Sequence, residues 1–283
     1  MTRDEFIGAV ETAMAGSPAD ETEIIAVSTA GGLTRVANSQ IHQSVAETNS
    51  AIAVRAVLDG RVGTARTNRP EPEALARAVN SAVANAKVSP QMTDWPGLPK
   101  NVVTRSEKIA AATSECAPGK RAELVGEALN VAKNKKLTMA GALETGVSEL
   151  YVANDKSGVS RWAESEVNIN LVLISLDSSG YASWVGRDLN ELDAAGLAGA
   201  AAKKAILARK PEALSPGAYT VILEPAAVAD MLAFLGYVGL GALSVQEKHS
   251  FMADRFGEKL VDEKITFWDD GADPRTLGPV FDY

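Results

Sequence analysis

An α+β fold is predicted by three features of this 283-residue chain. Short β-branched runs alternate with period two and follow one another across tight turns, the pattern of an antiparallel meander. Ala-rich stretches with apolar residues at helical spacing flank these runs. The order helix, meander, helix occurs twice, over roughly residues 1–90 and 100–210, without a close residue-level repeat. The expected architecture is therefore mainly antiparallel sheets with helices packed on them. Three segments are expected: an N-terminal domain over 1–95, a central domain over 100–212, and the incomplete start of a β-rich domain over 213–283.

Residues 3–15 read as a first helix, with Phe6, Ile7 and Val10 on one face, stopped by Gly16-Ser17-Pro18. Residues 23–28 (EIIAVS) form a strand, Gly31-Gly32 a turn, and residues 33–37 a returning strand. A third strand covers 40–48. The clearest is 51–58, where Ile52, Val54, Ala56 and Leu58 share a face, and Asp59-Gly60 turns it back into 61–67. Pro70 and Pro72 open a helix whose early acids, Glu71 and Glu73, suit its positive end. Leu75, Val79, Ala82, Val83 and Ala86 make its buried stripe. Residues 89–99 (SPQMTDWPGLP) connect the two halves.

The second half predicts a helix over 120–136, strands over 138–145, 147–153, 166–176 and 181–185, and an Ala-rich helix over 188–208. Turns fall at 154–158 and 177–180. A buried strand is expected at 219–223 (YTVIL), a helix at 225–237, a flexible break at 236–241 and a strand at 264–268.

The composition narrows function. Hydrophobic content of 46% and charged content of 23% are those of a soluble globular protein. The net charge of −8 argues against a nucleic-acid or anionic-membrane surface. No apolar run is long enough to span a bilayer, and the N-terminus carries acids where a secretory signal needs bases. A single cysteine, Cys116, fits a reducing compartment, so a cytoplasmic location is expected.

Residues 40–87 (QIHQSVAETNSAIAVRAVLDGRVGTARTNRPEPEALARAVNSAVANAK) carry the strongest signal. A polar strand pair leads to a strand closing on Asp59, Gly60, Arg61 and Gly63, then a Thr67-Asn68 turn and an Ala-rich helix. This order resembles the N-terminal domain of the TldD/PmbA (TldD/TldE) family, whose best-known members form a two-subunit zinc metalloprotease. Asp269-Asp270, Gly271, Gly278 and Phe281-Asp282 resemble a late segment of the same family. Family members are usually longer, so the resemblance implies a piece of a longer polypeptide, with apolar surface exposed towards its C-terminal part.

The resemblance also sets the zinc question. Catalytic members carry His-Glu-x-x-x-His on the helix after the YTVIL-like strand, where the two imidazoles grip zinc and the glutamate activates water. This helix reads EPAAVADMLAFLGYV, with Ala233, Phe234 and Val238 at about those positions. The resemblance is thus to the PmbA/TldE branch. It implies a non-catalytic subunit of an oligomeric, peptide-processing hydrolase, with zinc held by a TldD-like paralogue, or a homo-oligomer. Unfolded peptide is the implied substrate. No catalytic, cofactor-binding or metal-binding residue is assigned to this chain. The alternative is a stand-alone module that binds peptide or protein by a strand edge.

The remaining polar groups have plain explanations. His42 lies in a strand among Gln40, Gln43 and Ser44 and reads as a surface residue. His249, near Glu247 and Asp254, reads as a solvated loop group, and Cys116 as a loop thiol. Asp269, Asp270 and Asp273 lack calcium-loop spacing. Gly236, Gly239 and Gly241 follow a helix rather than a strand, unlike a dinucleotide loop.

Overall fold

The computed structural model describes residues 2–100 and 103–281. Asp282, the last residue of the late family-like segment, lies outside them. The chain divides into two compact units, Met1–Pro211 with Asp270–Tyr283, and Glu212–Asp269.

The first unit is built on one seven-stranded sheet. Strands β1 (Glu21–Ala37), β2 (Gln40–Leu58) and β3 (Arg61–Thr67) form the first meander. Strands β5 (Thr138–Asn154), β6 (Gly158–Ile174) and β7 (Ser179–Gly186) form the second. The order is β3-β2-β1-β5-β6-β4, with β7 also on β6, so strands from both sides of residue 100 share the sheet. Every pairing is antiparallel except that of β4 (Arg105–Lys108), which lies parallel to β6.

All helices of this unit cover one face. α1 (Arg3–Ala15) and α2 (Pro72–Val88) bury Phe6, Val10, Leu75 and Val79 against Ile24, Ile52 and Val54. α4 (Pro118–Asn134) and α5 (Ala194–Leu207) bury Leu124, Val125 and their alanines against Leu143, Ile169 and Leu171. A short α3 (Ala111–Ser114) precedes α4. α1 begins with a capping box between Thr2 and Glu5. α2 and α4 begin instead on proline at the first turn. Each fully buried Leu or Ile contributes about 1.5–3 kcal/mol, so burial under these two helix pairs holds them on the sheet.

The two halves are related by an approximate two-fold axis through the β1–β5 ladder, near the Ala30–Val147 pair. β1, β2, β3, α2 and α1 map onto β5, β6, β7, α5 and α4. Two glycines show how closely. A Cβ on Gly63 of β3 would run into Ala82 O and Ala86 N of α2, and one on Gly180 of β7 into Ala201 O and Ala205 N of α5. Each helix lies on its strand at backbone contact, which only glycine permits.

The structure corrects several expectations. Gly31-Gly32 is not a turn: β1 runs unbroken through it, and β5 runs unbroken through Gly146. Gly31 and Gly146 face each other across the ladder, where a Cβ on either would lie 2.8 Å from a carbonyl oxygen of the other strand. Close approach, not reversal, selects these glycines. The reversal falls at Asn38 and Ser39, both with positive φ, 50° and 59°. The helix expected from residue 188 begins at Ala194, because Asp193 caps Gly196 N and leaves Leu189–Glu191 as a single 3-10 turn.

In the second unit, α6 (Pro225–Leu235) continues into a π-helical turn, Gly236–Leu240, and a short α7 (Ala242–Gln246). The expected break is thus a π-helical turn, with Gly239 buried beside Phe251. Residues 219–223 and 264–268 are not strands. A strand exists only as part of a ladder, and among the described residues nothing pairs with these two segments. Tyr219, Val221 and Ile222 are exposed. Among the described residues no helix is long and apolar enough to cross a membrane.

Candidate functional site

The helix that would bear a zinc motif is α6. It starts at Pro225, and Ala233, Phe234 and Val238 are exposed side chains without a donor atom. This donor set does not fit zinc, which needs imidazole, thiolate or carboxylate ligands. Among the described residues no group of three or more His, Cys, Asp or Glu side chains is placed to hold a metal ion.

The other singled-out residues are scattered. His42 is exposed on β2, and His249 Nδ1 lies 3.6 Å from Glu247 Oε2 in the second unit. Asp254 pairs with Lys248 at 2.9 Å. Asp273 is bonded by Arg275, whose guanidinium and backbone N–H hold its carboxyl down at about 2. Asp270 accepts from Ala272 N at 2.9 Å. The half-buried Cys116 gives its carbonyl to Arg121. These are single ion pairs and turn hydrogen bonds, and among the described residues none belongs to a cluster of three ligating side chains.

The structure does bring together a strand edge and a cleft. β2 pairs with β1 along its whole length, whereas β3 pairs only with residues 52–58. Beyond Asn68, Pro70 and Pro72 turn the chain into α2, so β3 ends early. Among the described residues nothing pairs with the outer edge of residues 40–51. That edge offers N–H and C=O groups to an extended chain, and it carries neither lysine nor proline to block one. The second half shows an equivalent edge filled. β7 covers residues 167–174 of β6, and β4 lies parallel beside Arg161–Glu164 residues as an added strand.

Next to the open edge, on the sheet face without helices, lies a cleft of about 400 Å³. Its floor is the glycine pair Gly31–Gly146, and in register on either side stand Glu47 of β2 and Glu166 of β6. Val45, Asn49, Glu144 and Asn168 complete the walls. Burial, then the charges of Glu164 and Glu144, push the Glu166 carboxyl above the usual range. Glu164 itself is tied to Arg187 and accepts from Gly278 N at 2.7 Å. The cleft is therefore anionic. Beside it the open edge of β2 presents unpaired main-chain N–H and C=O groups.

The sequence carried one overlooked signal for this cleft. In β6, Glu164, Glu166, Asn168 and Asn170 alternate with Val167, Ile169 and Leu171. A polar stripe of period two in a buried sheet means a face left uncovered by helices. β4 (RSEK) had no such signal, being four polar residues.

Comparisons with known proteins agree with the fold. The model for PmbA/TldA metallopeptidase domain 1 matches residues 22–86, and that for the PmbA/TldA metallopeptidase C-terminal domain matches residues 216–282. TldE from Thermococcus kodakarensis superposes with a TM-score of 0.76 at 22% identity, over 98% of this chain and 63% of that one. A Thermotoga maritima protein, a candidate modulator of a DNA gyrase, gives 0.71 at 18% identity, over 91% and 60%. A Bacteroides thetaiotaomicron protein described in the same way gives 0.73 at 15%, over 92% and 62%. The chain thus spans about three-fifths of the length of these solved proteins. No curated protein sequence matches it.

Proposed function

We propose that this chain, matched by two PmbA/TldA metallopeptidase domain models, serves in that family as a TldE-like subunit that holds unfolded peptide but does not cleave it. The observation that carries this proposal is the lack of histidine on α6 and the turn after it: Ala233, Phe234 and Val238 stand where catalytic relatives are expected to place their HExxxH histidines and glutamate. Without the two imidazoles and the glutamate, this segment lacks the ligand pair and the general base of that zinc motif. Cleavage is then supplied by a zinc-bearing paralogue in a cytoplasmic hetero-oligomer, while this subunit contributes the β2 edge and its acidic cleft.

Edge pairing suits such a task because main-chain hydrogen bonds are blind to side chains, so many unfolded sequences can be held. Glu47 on the edge strand, with Glu144 and Glu166 farther across the same cleft, favours peptides with basic residues. The test is zinc content and peptidase activity of the purified chain, alone and mixed with an HExxxH-bearing paralogue. The proposal expects substoichiometric zinc and no cleavage alone, with activity on mixing. Stoichiometric zinc with cleavage by the lone chain overturns it. A second reading, a stand-alone peptide-binding module, is supported by the same edge. It is favoured if peptide binds but no paralogue associates.

A further inference from the structure

The two-fold axis relates two clefts on the helix-covered face of the sheet. In the first, of about 460 Å³, Phe6 of α1 meets Tyr151 edge-on at 5.0 Å between ring centres, and Glu149 lies at the wall. The second is a smaller cleft of about 190 Å³, lined by Thr113, Ser114, Cys116, Thr145 and Arg121. Phe6 of α1 and Arg121 of α4 occupy matching places, and Glu149 corresponds to Gly32. Where one cleft has an aromatic pair and an acid, the other has a lone arginine over a glycine.

Arg121 is only 2% exposed. Its Nη1 donates to Cys116 O at 2.8 Å and to Thr145 Oγ1 at 3.2 Å, both neutral acceptors. Its Nε is buried without a partner, and among the described residues no carboxylate pairs with it. Arg161, the other buried arginine, differs on this point: Glu107 and Glu149 both lie 2.8 Å from it. A desolvated cation is costly unless an anion faces it.

The surroundings are shaped for the guanidinium and for a guest. A Cβ on Gly32 would fall on the guanidinium itself, so glycine makes its room. The N-cap of α4, Ala117, has no side-chain hydrogen bond, and the positive end of this 17-residue helix points to the same cleft. Thr34, on the same sheet face, keeps a buried hydroxyl without a partner.

We propose that Arg121 is an oxyanion seat: one carboxylate- or phosphate-class group enters the cleft over Gly32, supplies the missing negative charge and accepts hydrogen bonds from this guanidinium. The planar fork of arginine matches both chemistries. The cleft is smaller than the roughly 300–1,000 Å³ usual for drug-sized ligands, so the guest is a small anion or a single group of a larger molecule. This seat lies on the opposite face of the sheet from the acidic cleft and does not depend on peptide capture.

The experiment titrates the whole chain with inorganic phosphate and, separately, with acetate, following arginine Nε–H signals by NMR. The Arg121 signal is assigned by its loss in Arg121→Met. Saturable movement of that signal with either anion supports the seat, and competition between the two ranks phosphate against carboxylate. Arg121→Met is expected to weaken binding at least tenfold. No movement of any buried arginine signal overturns the proposal, as does unchanged binding in the variant. Should Arg121→Met fail to fold, Gly32→Ala crowds the guanidinium instead and is expected to weaken binding to a similar degree; full affinity in that variant also overturns it.

Discussion

The two halves of the first unit share one plan and finish it differently. In the second half β4 lies along β6, and Arg161 ties that edge to Glu107 of β4 and to Glu149 of β5. Arg3 of α1 reaches the same Glu107 at 3.1 Å, so a helix, the added strand and the sheet are joined by charge. Burial works against the Arg161 cation, yet its bonds to Glu107, Tyr151 and Glu149 hold its pKa above the ordinary value. In the first half, among the described residues, no strand lies along the outer edge of residues 40–51 of β2, and Ser44 stands where Arg161 stands in the other half. An internal repeat thus supplies its own control. The filled edge shows that an added strand fits beside β6, and among the described residues the matching stretch of β2 has none.

The largest effect tests the equivalence itself. Gly63→Val and Gly180→Val each push a side chain into a helix backbone, and each is expected to cost about 3 kcal/mol or more in urea unfolding, or to abolish folding. A large cost at one site and none at the other would break the two-fold comparison. Next come the two buried arginines. Arg161→Met strands Glu149 and Glu107, which are partly exposed, and is expected to cost about 2–3 kcal/mol. Arg121→Met removes a cation that no carboxylate faces and is expected to change stability by less than about 1 kcal/mol. Equal costs would mean that Arg121 is as well compensated as Arg161.

Smaller effects concern the edge and its cleft. Ser44→Lys places a charge on the exposed edge strand. It is expected to leave stability within about 0.5 kcal/mol while weakening peptide association, read by fluorescence anisotropy. The smallest is Glu166→Gln. Because the folded-state pKa of Glu166 is raised, its charged form is disfavoured on folding. That penalty is absent below the unfolded pKa of about 4.3 and grows as pH rises through the folded value. The variant is therefore expected to be more stable near pH 7 by up to about 0.5 kcal/mol, the side chain being solvent-exposed, with the gain fading towards pH 4. A gain that grew on acidification would contradict the assigned direction.

Much of the fold was legible in the sequence because local signals agree with it. The period-two run of residues 51–58, the Asp59-Gly60 turn and the stripe from Leu75 to Ala86 all fall where the structure has them. Gly31-Gly32 misled because glycine signals both turns and close backbone contacts, and only the facing Gly146 decides between them. The YTVIL run misled because apolar alternation reports compatibility with a sheet, while a strand also needs a neighbour. Of the candidate site, the absence of imidazoles on α6 was plain from the sequence. The open edge was not, since it depends on where β3 stops and on β4, a four-residue polar strand pairing across the sheet. Arg121 was hidden in an ordinary helix, where an exposed arginine and a buried one read alike.

The most direct measurement is backbone hydrogen exchange on the isolated chain with saturating unfolded peptide, followed by mass spectrometry of the recovered peptide. The account predicts that amides within residues 40–51 slow on addition and that the peptide returns intact. Protection confined to other strands, or a cleaved peptide, would contradict it.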